Sequence, residues 1–262
     1  ARVADVLKQQ SIEVYTDWDR LLHDPTTIKT GNQQPYSVYT PFWRNWNSRS
    51  KPAPVEVKLP ATKLTPTEHQ ALTQLPVINL PTAKDLGFTW DKPLIFEPGT
   101  SAAEQQLLDF CHRSIFEYDT QRNYPAISGT SGLSAALKFG TIGIRTVWAA
   151  TITAMAEARS DEARAGITTW QQELAWREFY QQALYHFPIL AQGAYRDPFK
   201  HFPWRNDETL FTAWCQGKTG YPIVDAAMRQ LDQTGWMHNR CRMIVASFLT
   251  KDLVINWQWG EK

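Results

Sequence analysis

Three stretches of the chain place chemistry-bearing side chains at spacings that a helix or turn would bring together. In WQQELAWREFYQQALYHFP, Trp170, Glu173, Trp176, Arg177 and Tyr180 recur every three to four residues. One helix face would then carry two indoles, a carboxylate, a guanidinium and a phenol. A stripe of that spacing serves a core as readily as a ligand, but the Glu and Arg within it need partners if they are buried. In TGWMHNRCRM, residues 234–243, a helix would align Trp236, Asn239 and Met243, with Arg242 beside them. The Asn amide can pair with a planar amide or purine edge, Met is a pliable apolar contact, and Arg240 suits a phosphate. In YDTQRNYPAISGTSGLS, residues 118–134, GTSGLS offers backbone N–H groups and three hydroxyls where a helix begins. That is a place for a phosphate; equally, Thr130 or Ser131 would serve there as an ordinary N-cap.

Other chemistry is poorly served. His238 has no companions at ligand spacing, so no metal site is expected. No Ser sits in a nucleophile elbow, which leaves a hydrolytic triad unsupported. Together the three stretches would line a pocket with aromatics, amides and phosphate donors. Such a pocket fits a flat nucleotide-like cofactor, a flat substrate, or both.

The elements that must position these groups are mostly helical. RVADVLKQQ has helical periodicity, SIEVYTD alternates like a short strand, and WDRLLHD reads as a turn of helix, giving the first fifty residues an α/β flavour. TPFWRNW is expected to be a short helix started by Pro41. Eight of the sixteen prolines lie between Pro52 and Pro98, which reads as a long connector. Beyond Glu104 the apolar residues recur every three to four positions, with SGTSG, FPW and GKTGYP as punctuation. The expected division is an end of an α/β domain over 1–48, a linker over 49–104 and an all-α domain over 105–262.

Composition narrows the classes further. A chain of 262 residues with 43% hydrophobic and 20% charged residues has the makeup of a globular domain with a sizeable core. Its net charge of +1 rules out a polycation that coats nucleic acid or membrane, so any phosphate-binding surface is local. Cys111, Cys215 and Cys241 lie far apart without a CxxC spacing, against a disulfide framework and in keeping with a reducing cytoplasm. No signal peptide and no apolar run of about 18 residues is evident. Eight of the twelve Trp fall at or beyond Trp148, a density suited to stacking surfaces or redox work as well as to packing.

GTSGLSAALKFG, WQQELAWREFY and GKTGYPIVDAAMRQLDQTGWMHNRCRMIVASFLTKDLVINW, in this order, closely resemble the photolyase/cryptochrome family. The resemblance runs from about Tyr118 onward and is weaker over PYSVYTPFWRNW. Asn239 and Met243 match the class I cyclobutane pyrimidine dimer branch, where plant cryptochromes carry Asp and the DASH-type branch carries Gln at the respective positions. The resemblance implies an α/β antenna domain, a long linker and a helical domain holding FAD. It implies light-driven repair of pyrimidine dimers by electron transfer from excited, reduced FAD. Tyr118, Thr130, Ser131, Gly132, Leu133, Ser134, Trp170, Asn239 and Arg242 correspond to FAD-site positions. Glu173 resembles the carboxyl group that bonds the dimer's bases, Trp176 the indole packed on the flipped-out dimer, and Met243 a contact to the same lesion. Arg122, Glu173, Trp176, Arg177, Tyr180, Asn239 and Arg240 correspond to DNA-contacting positions, within a segment 173–180 that meets DNA. Trp204 and Trp257 match two members of the electron-carrying tryptophan chain. Lys138, in ALKFG, corresponds to a position near the antenna chromophore, 8-hydroxy-5-deazaflavin or methenyltetrahydrofolate.

The partner so implied is UV-damaged DNA, bound by a monomer in the bacterial cytoplasm, at the nucleoid, without membrane or metal. Without an initiator Met and stopping in mid-pattern, the chain is expected to be a fragment lacking most of the antenna domain and the C-terminal end, and inactive alone. A cryptochrome-type photoreceptor and an all-α interaction module whose Trp residues are only core are the rival readings, and Trp259, beside Trp257, is an extra indole without an assigned role.

Overall fold

In the computed structural model, which describes residues 2–15, 18–55, 65–67, 70, 80–89, 91–92 and 94–262, every regular element among the described residues is helical. In chain order these are α1 (Arg2–Gln9), α2 (Tyr39–Ser48), α3 (Thr100–His112), α4 (Tyr118–Gln121), α5 (Ser134–Phe139) and α6 (Ile144–Glu157). They continue with α7 (Asp161–His186), α8 (Glu208–Cys215), α9 (Pro222–Thr234), α10 (Asn239–Ser247) and α11 (Trp257–Glu261). A 3₁₀ turn, Ser114–Glu117, precedes α4, and a π turn, Phe248–Asp252, ends α10.

The 26-residue α7 is the spine, roughly 39 Å long at 1.5 Å per residue. Ser160 starts it by accepting the Ala163 N–H at 3.1 Å, and Asp161 and Glu162 complement the helix dipole. Gly166 lets the chain between α3 and α4 approach: a Cβ there would lie 2.7 Å from the carbonyl oxygens of Ile115 and Phe116. Phe42, Trp46, Leu107, Ile115, Val147, Ile167 and Ala175 form the centre of a first core around α7. A second core, built from Trp214, Val224, Met228, Met237, Cys241, Phe248 and Ile255, joins α8, α9 and α10. Trp259 finds its place there, edge-on to Phe211 at 5.3 Å.

Two sequence expectations fail near the N-terminus. SIEVYTD forms no strand among described residues 11–15, and Thr16 and Asp17 lie outside the described residues. A strand needs a hydrogen-bonded neighbour, and no other strand is present among the described residues. WDRLLHD is a run of turns and bends instead of a helix. Its Leu22 and His23 N–H groups donate to the two carboxylate oxygens of Glu178, each at 3.0 Å, in place of carbonyls one turn earlier. Glu178 is 1% exposed, and burial raises its pKa against the lowering effect of these bonds. It clasps the N-terminal segment to α7. At the far side of this contact Lys51 closes α2, its Nζ donating to the carbonyls of Trp46, Asn47 and Arg49 at 2.6, 3.0 and 2.8 Å. The Trp46 ring stands 4.1 Å from that ammonium, whose pKa burial lowers to about 8.

α2 begins at Tyr39, two residues ahead of Pro41, which occupies the first turn where its missing N–H has no helical acceptor anyway. Of the Pro-rich stretch expected to be a connector, residues 56–64, 68–69, 71–79, 90 and 93 lie outside the described residues, and residues 80–89, 91–92 and 94–99 carry only turns, bends and irregular backbone. The expected continuous helix through TGWMHNRCRM is broken. Gly235 ends α9 in the left-handed conformation (φ +69°), and α10 restarts after His238, whose Nδ1 accepts the Arg240 N–H at 3.1 Å. Trp236 therefore sits in the connection and does not share a helix face with Asn239 and Met243.

Candidate functional site

A cleft of about 860 Å³ runs along one face of α7. Trp170, Glu173, Trp176, Arg177 and Tyr180 all line it, as the spacing predicts. The face grades from closed to open: Trp170 is 3% exposed, Tyr180 64%. Tyr118, Ser131, Leu133, Ser134 and Lys138 form the opposite wall, Asn239 enters from the start of α10, and Trp18, Arg20 and Leu21 close a third side. The cleft thus gathers groups from all three chemical stretches.

The wall at 129–134 is built around Gly132. Its φ is +64°, and a Cβ there would lie 2.3 Å from Gln106 Nε2 and 2.4 Å from the Phe96 ring. The positive backbone angle favours glycine, and any side chain there would also displace the ends of Gln106 and Phe96. Gln106 fixes the turn by donating to the Ser131 carbonyl at 2.7 Å. Neither Thr130 nor Ser131 caps α5; Leu133 holds the N-cap position without a side-chain bond, so the Ser131 hydroxyl is not spent on the helix start.

The charged groups are engaged with one another. Arg122 pairs with Glu173 at 2.8 Å and its guanidinium lies 5.4 Å from the Tyr118 ring. Beside it, Asn123 Oδ1 accepts from Arg240 Nε and Nη2 at 3.0 and 2.5 Å. Arg240 Nη1 also reaches Met243 Sδ at 3.6 Å, while the Met243 side chain is mostly exposed. Arg177 turns inward: it donates to the Arg20 carbonyl at 2.9 Å and the Leu137 carbonyl at 3.5 Å. Arg20 donates to the Lys138 carbonyl at 3.3 Å, so two guanidiniums satisfy the free carbonyls at the end of α5. Desolvation lowers the Arg177 pKa.

Eight predicted residues do not line this cleft: Arg122, Thr130, Gly132, Arg240 and Met243 stand beside it, and Arg242, Trp204 and Trp257 lie apart. Arg242 donates from Nε to the Met237 carbonyl at 3.1 Å and lines a separate cavity of about 320 Å³ with Trp257, Trp214 and Leu249. Trp204 packs on Phe202 with centroids 4.5 Å apart. The segments bearing Trp204 and Trp257 are laced together by Arg205 N–H to the Val254 carbonyl and Asn256 N–H to Asn206 Oδ1, both 2.8 Å. Sequence reasoning missed Arg20, Gln106, Asn123 and Tyr39. Each acts on a partner distant in the chain, which local periodicity does not signal.

Among the described residues, a helical body carries an aromatic, amide-bearing cleft with arginines beside it, a lining whose chemistry is compatible with a flat, polar group. Comparison with known proteins gives the family. Residues 170–262 match the FAD binding domain of DNA photolyase, and residues 1–63 match DNA photolyase. A deoxyribodipyrimidine photo-lyase of Synechococcus sp. is 59% identical over 100% of this chain and 54% of its own length. The crystal structure of a class III photolyase from Agrobacterium tumefaciens superposes with TM-score 0.82 at 39% identity, covering 99% of this chain and 53% of that one. A Synechocystis cryptochrome structure gives TM-score 0.76 at 27% identity, over 98% and 53%. The chain belongs to the photolyase/cryptochrome family and spans about half the length of the relatives it matches.

Proposed function

We propose that the protein containing this chain is a deoxyribodipyrimidine photo-lyase of the class I kind, which repairs cyclobutane pyrimidine dimers in DNA with light and FAD. The observation that carries this reading is the single cleft holding Tyr118, Ser131, Ser134, Trp170, Glu173, Trp176 and Asn239. Its donor set suits a flavin nucleotide: the Ser131 and Ser134 hydroxyls for phosphate and ribityl oxygens, the Asn239 amide, and the Trp170 indole. At about 860 Å³ it falls at the roomy end of small-ligand sites, about 300–1,000 Å³. Bound there in reduced form, FAD supplies the light-excited electron. Thr130, Gly132 and Leu133 complete this assignment as cofactor positions; Arg242 is assigned with them by its place in the motif, although its side chain lines the separate cavity beside Trp257.

The chain's own residues bind and orient the damaged bases. Trp176 offers a flat apolar wall to two adjacent, linked bases turned out of the duplex. Glu173 exchanges Arg122 for a pyrimidine edge, which frees Arg122 for a phosphate; Arg240 makes the corresponding exchange from Asn123. Met243, exposed in the middle of α10, is placed against the lesion, and Tyr180 borders the DNA, with Arg177 behind it held by the Arg20 and Leu137 carbonyls. Trp204 and Trp257 serve as electron-carrying indoles, and Lys138 adjoins an antenna chromophore of the deazaflavin or folate type. A monomer working on cytoplasmic DNA, divided at 1–48, 49–104 and 105–262, completes the reading; no described helix is long and apolar enough to cross a membrane.

The test uses the full-length protein loaded with FAD and UV-irradiated oligothymidine. Blue light is expected to remove dimers, and darkness to leave them. Glu173→Ala is expected to weaken dimer affinity about tenfold, the loss of a charge-assisted hydrogen bond, and to lower the repair yield. Unchanged affinity and yield would remove Glu173 from the reaction. A protein that binds FAD and responds to light without removing dimers would be a photoreceptor, the second reading, which the likeness to the Synechocystis cryptochrome favours.

A further inference from the structure

Tyr39, the first residue of α2, lies flat against the Trp176 indole, with ring centroids 3.5 Å apart and planes 7° from parallel. Its hydroxyl donates to the Gln172 carbonyl of α7 at 2.8 Å, one turn before Trp176. Phe179 sets its ring edge-on to both, at 5.8 Å from Tyr39 and 5.6 Å from Trp176. Phe42, fully buried, supports the group at 6.5 Å from Tyr39 and 5.1 Å from Phe179. Trp176 lines the cleft and Tyr39 does not. The stack therefore backs the indole from outside the cleft. It also joins the two family-matched segments, Tyr39 falling within residues 1–63 and Trp176 within 170–262.

We propose that Tyr39 is a positioning residue for the cleft, fixing the plane of Trp176, with Tyr180 stacked beside it at 5.5 Å, so that its cleft-facing surface meets flat bases without a cost in side-chain ordering. The proposal rests on the dimer-binding reading above. A half-buried indole without a backing ring samples several rotamers, and each must be given up when a base stacks on it. A parallel ring at 3.5 Å, itself anchored by a hydroxyl bond to the same helix, removes that freedom before the ligand arrives. The ring carries the effect and the hydroxyl anchors the ring.

The experiment takes the full-length, FAD-loaded protein labelled with 5-fluorotryptophan, the Trp176 signal being assigned by its loss in Trp176→Phe. Tyr39→Leu is expected to broaden and shift that ¹⁹F signal. It should weaken binding of a thymine-dimer oligonucleotide about two- to tenfold, the worth of one aromatic pair, and leave binding of the undamaged oligonucleotide unchanged. Tyr39→Phe should stay within about twofold of wild type in both readouts. A Trp176 signal unchanged in Tyr39→Leu would overturn the proposal, as would equal weakening on damaged and undamaged DNA, which marks a merely structural role. If Tyr39→Leu loses its helical far-UV signal, Tyr39→His takes its place under the same criteria. Should the wild type itself show no preference for the dimer, the dimer-binding reading fails, and the ¹⁹F signal alone then decides whether Tyr39 orders the indole.

Discussion

Glu173 and Glu178 stand five residues apart on the same helix and illustrate what residue type does and does not disclose. The sequence makes both carboxylates candidates for the DNA face. Glu173 does line the cleft, but Glu178 falls well round the helix and is buried against the backbone of Leu22 and His23. Its partners lie more than 150 positions away, so no local pattern announces them. Arg177 likewise spends its donors on the carbonyls of Arg20 and Leu137. Glu178→Ala orphans two backbone N–H groups at about 1–3 kcal/mol each if both stay dry, so a loss of at least ~2 kcal/mol is expected in urea unfolding. Glu178→Gln keeps one carbonyl acceptor and should cost less. Burial raises the Glu178 pKa, so its contribution is complete below the ordinary carboxylate range and declines as pH rises through the raised folded value. The stability gap between wild type and Glu178→Gln should therefore widen as pH falls from neutral toward about 4.5. A gap independent of pH would mean that Glu178 titrates alike in the folded and unfolded chain.

The elements were legible where one face is apolar throughout. Helical periodicity locates α3, α6, α7 and α9, and the aromatic stripe on α7 falls on the cleft as its spacing requires. It fails where a short polar signal overrides the pattern. The break between α9 and α10 depends on Gly235 adopting positive φ and on a histidine ring acting as the cap, and His is not among the usual capping residues. Gly166 presents the opposite case, a glycine inside a helix whose cause lies in another element. By propensity alone Gly166→Ala would stabilise α7 by roughly 1 kcal/mol. The added methyl would sit 2.7 Å from two backbone carbonyl oxygens of the Ser114–Glu117 turn, which no rotamer change relieves. Overpacking of this kind costs typically 1–3 kcal/mol, more when backbone must move. The net expectation is a destabilisation of about 1–2 kcal/mol, read as a fall of several degrees in Tm. A variant as stable as wild type would show that the turn yields freely, and that α4, which carries the Tyr118 end of the cleft, is not held by this contact.

Across the whole molecule, periodicity indicates an all-α domain from about residue 105 onward, but not that the apolar residues condense into two cores, the first of which takes in Leu22, Ile28, Phe42 and Trp46 from the segment read as the end of an α/β domain. Among the described residues the first contains twenty-three buried side chains and the second ten, so the second has far less apolar area to hold it closed. The links between them are mainly polar and partly exposed: Arg240 with Asn123, Gln258 with the Gln192 carbonyl at 3.0 Å, and Lys92 with Asp232 at 3.2 Å. One exposed ion pair contributes about 0–1 kcal/mol and each exposed hydrogen bond about 0.5–1.5 kcal/mol, too little to make the two cores a single cooperative unit. The cleft draws Trp170 and Tyr118 from the first core's helices and Asn239 from the second's, so partial opening of the second core would widen it from one side. Native-state hydrogen exchange followed by mass spectrometry should find this as a hierarchy. Amides of α9 and α10 are expected to exchange through a smaller opening free energy than those of α6 and the centre of α7, and to respond more steeply to low urea. If all four helices instead exchange with one common free energy, the two cores unfold together, and access to the cleft must come from side-chain exchange at Arg122 and Arg240 alone.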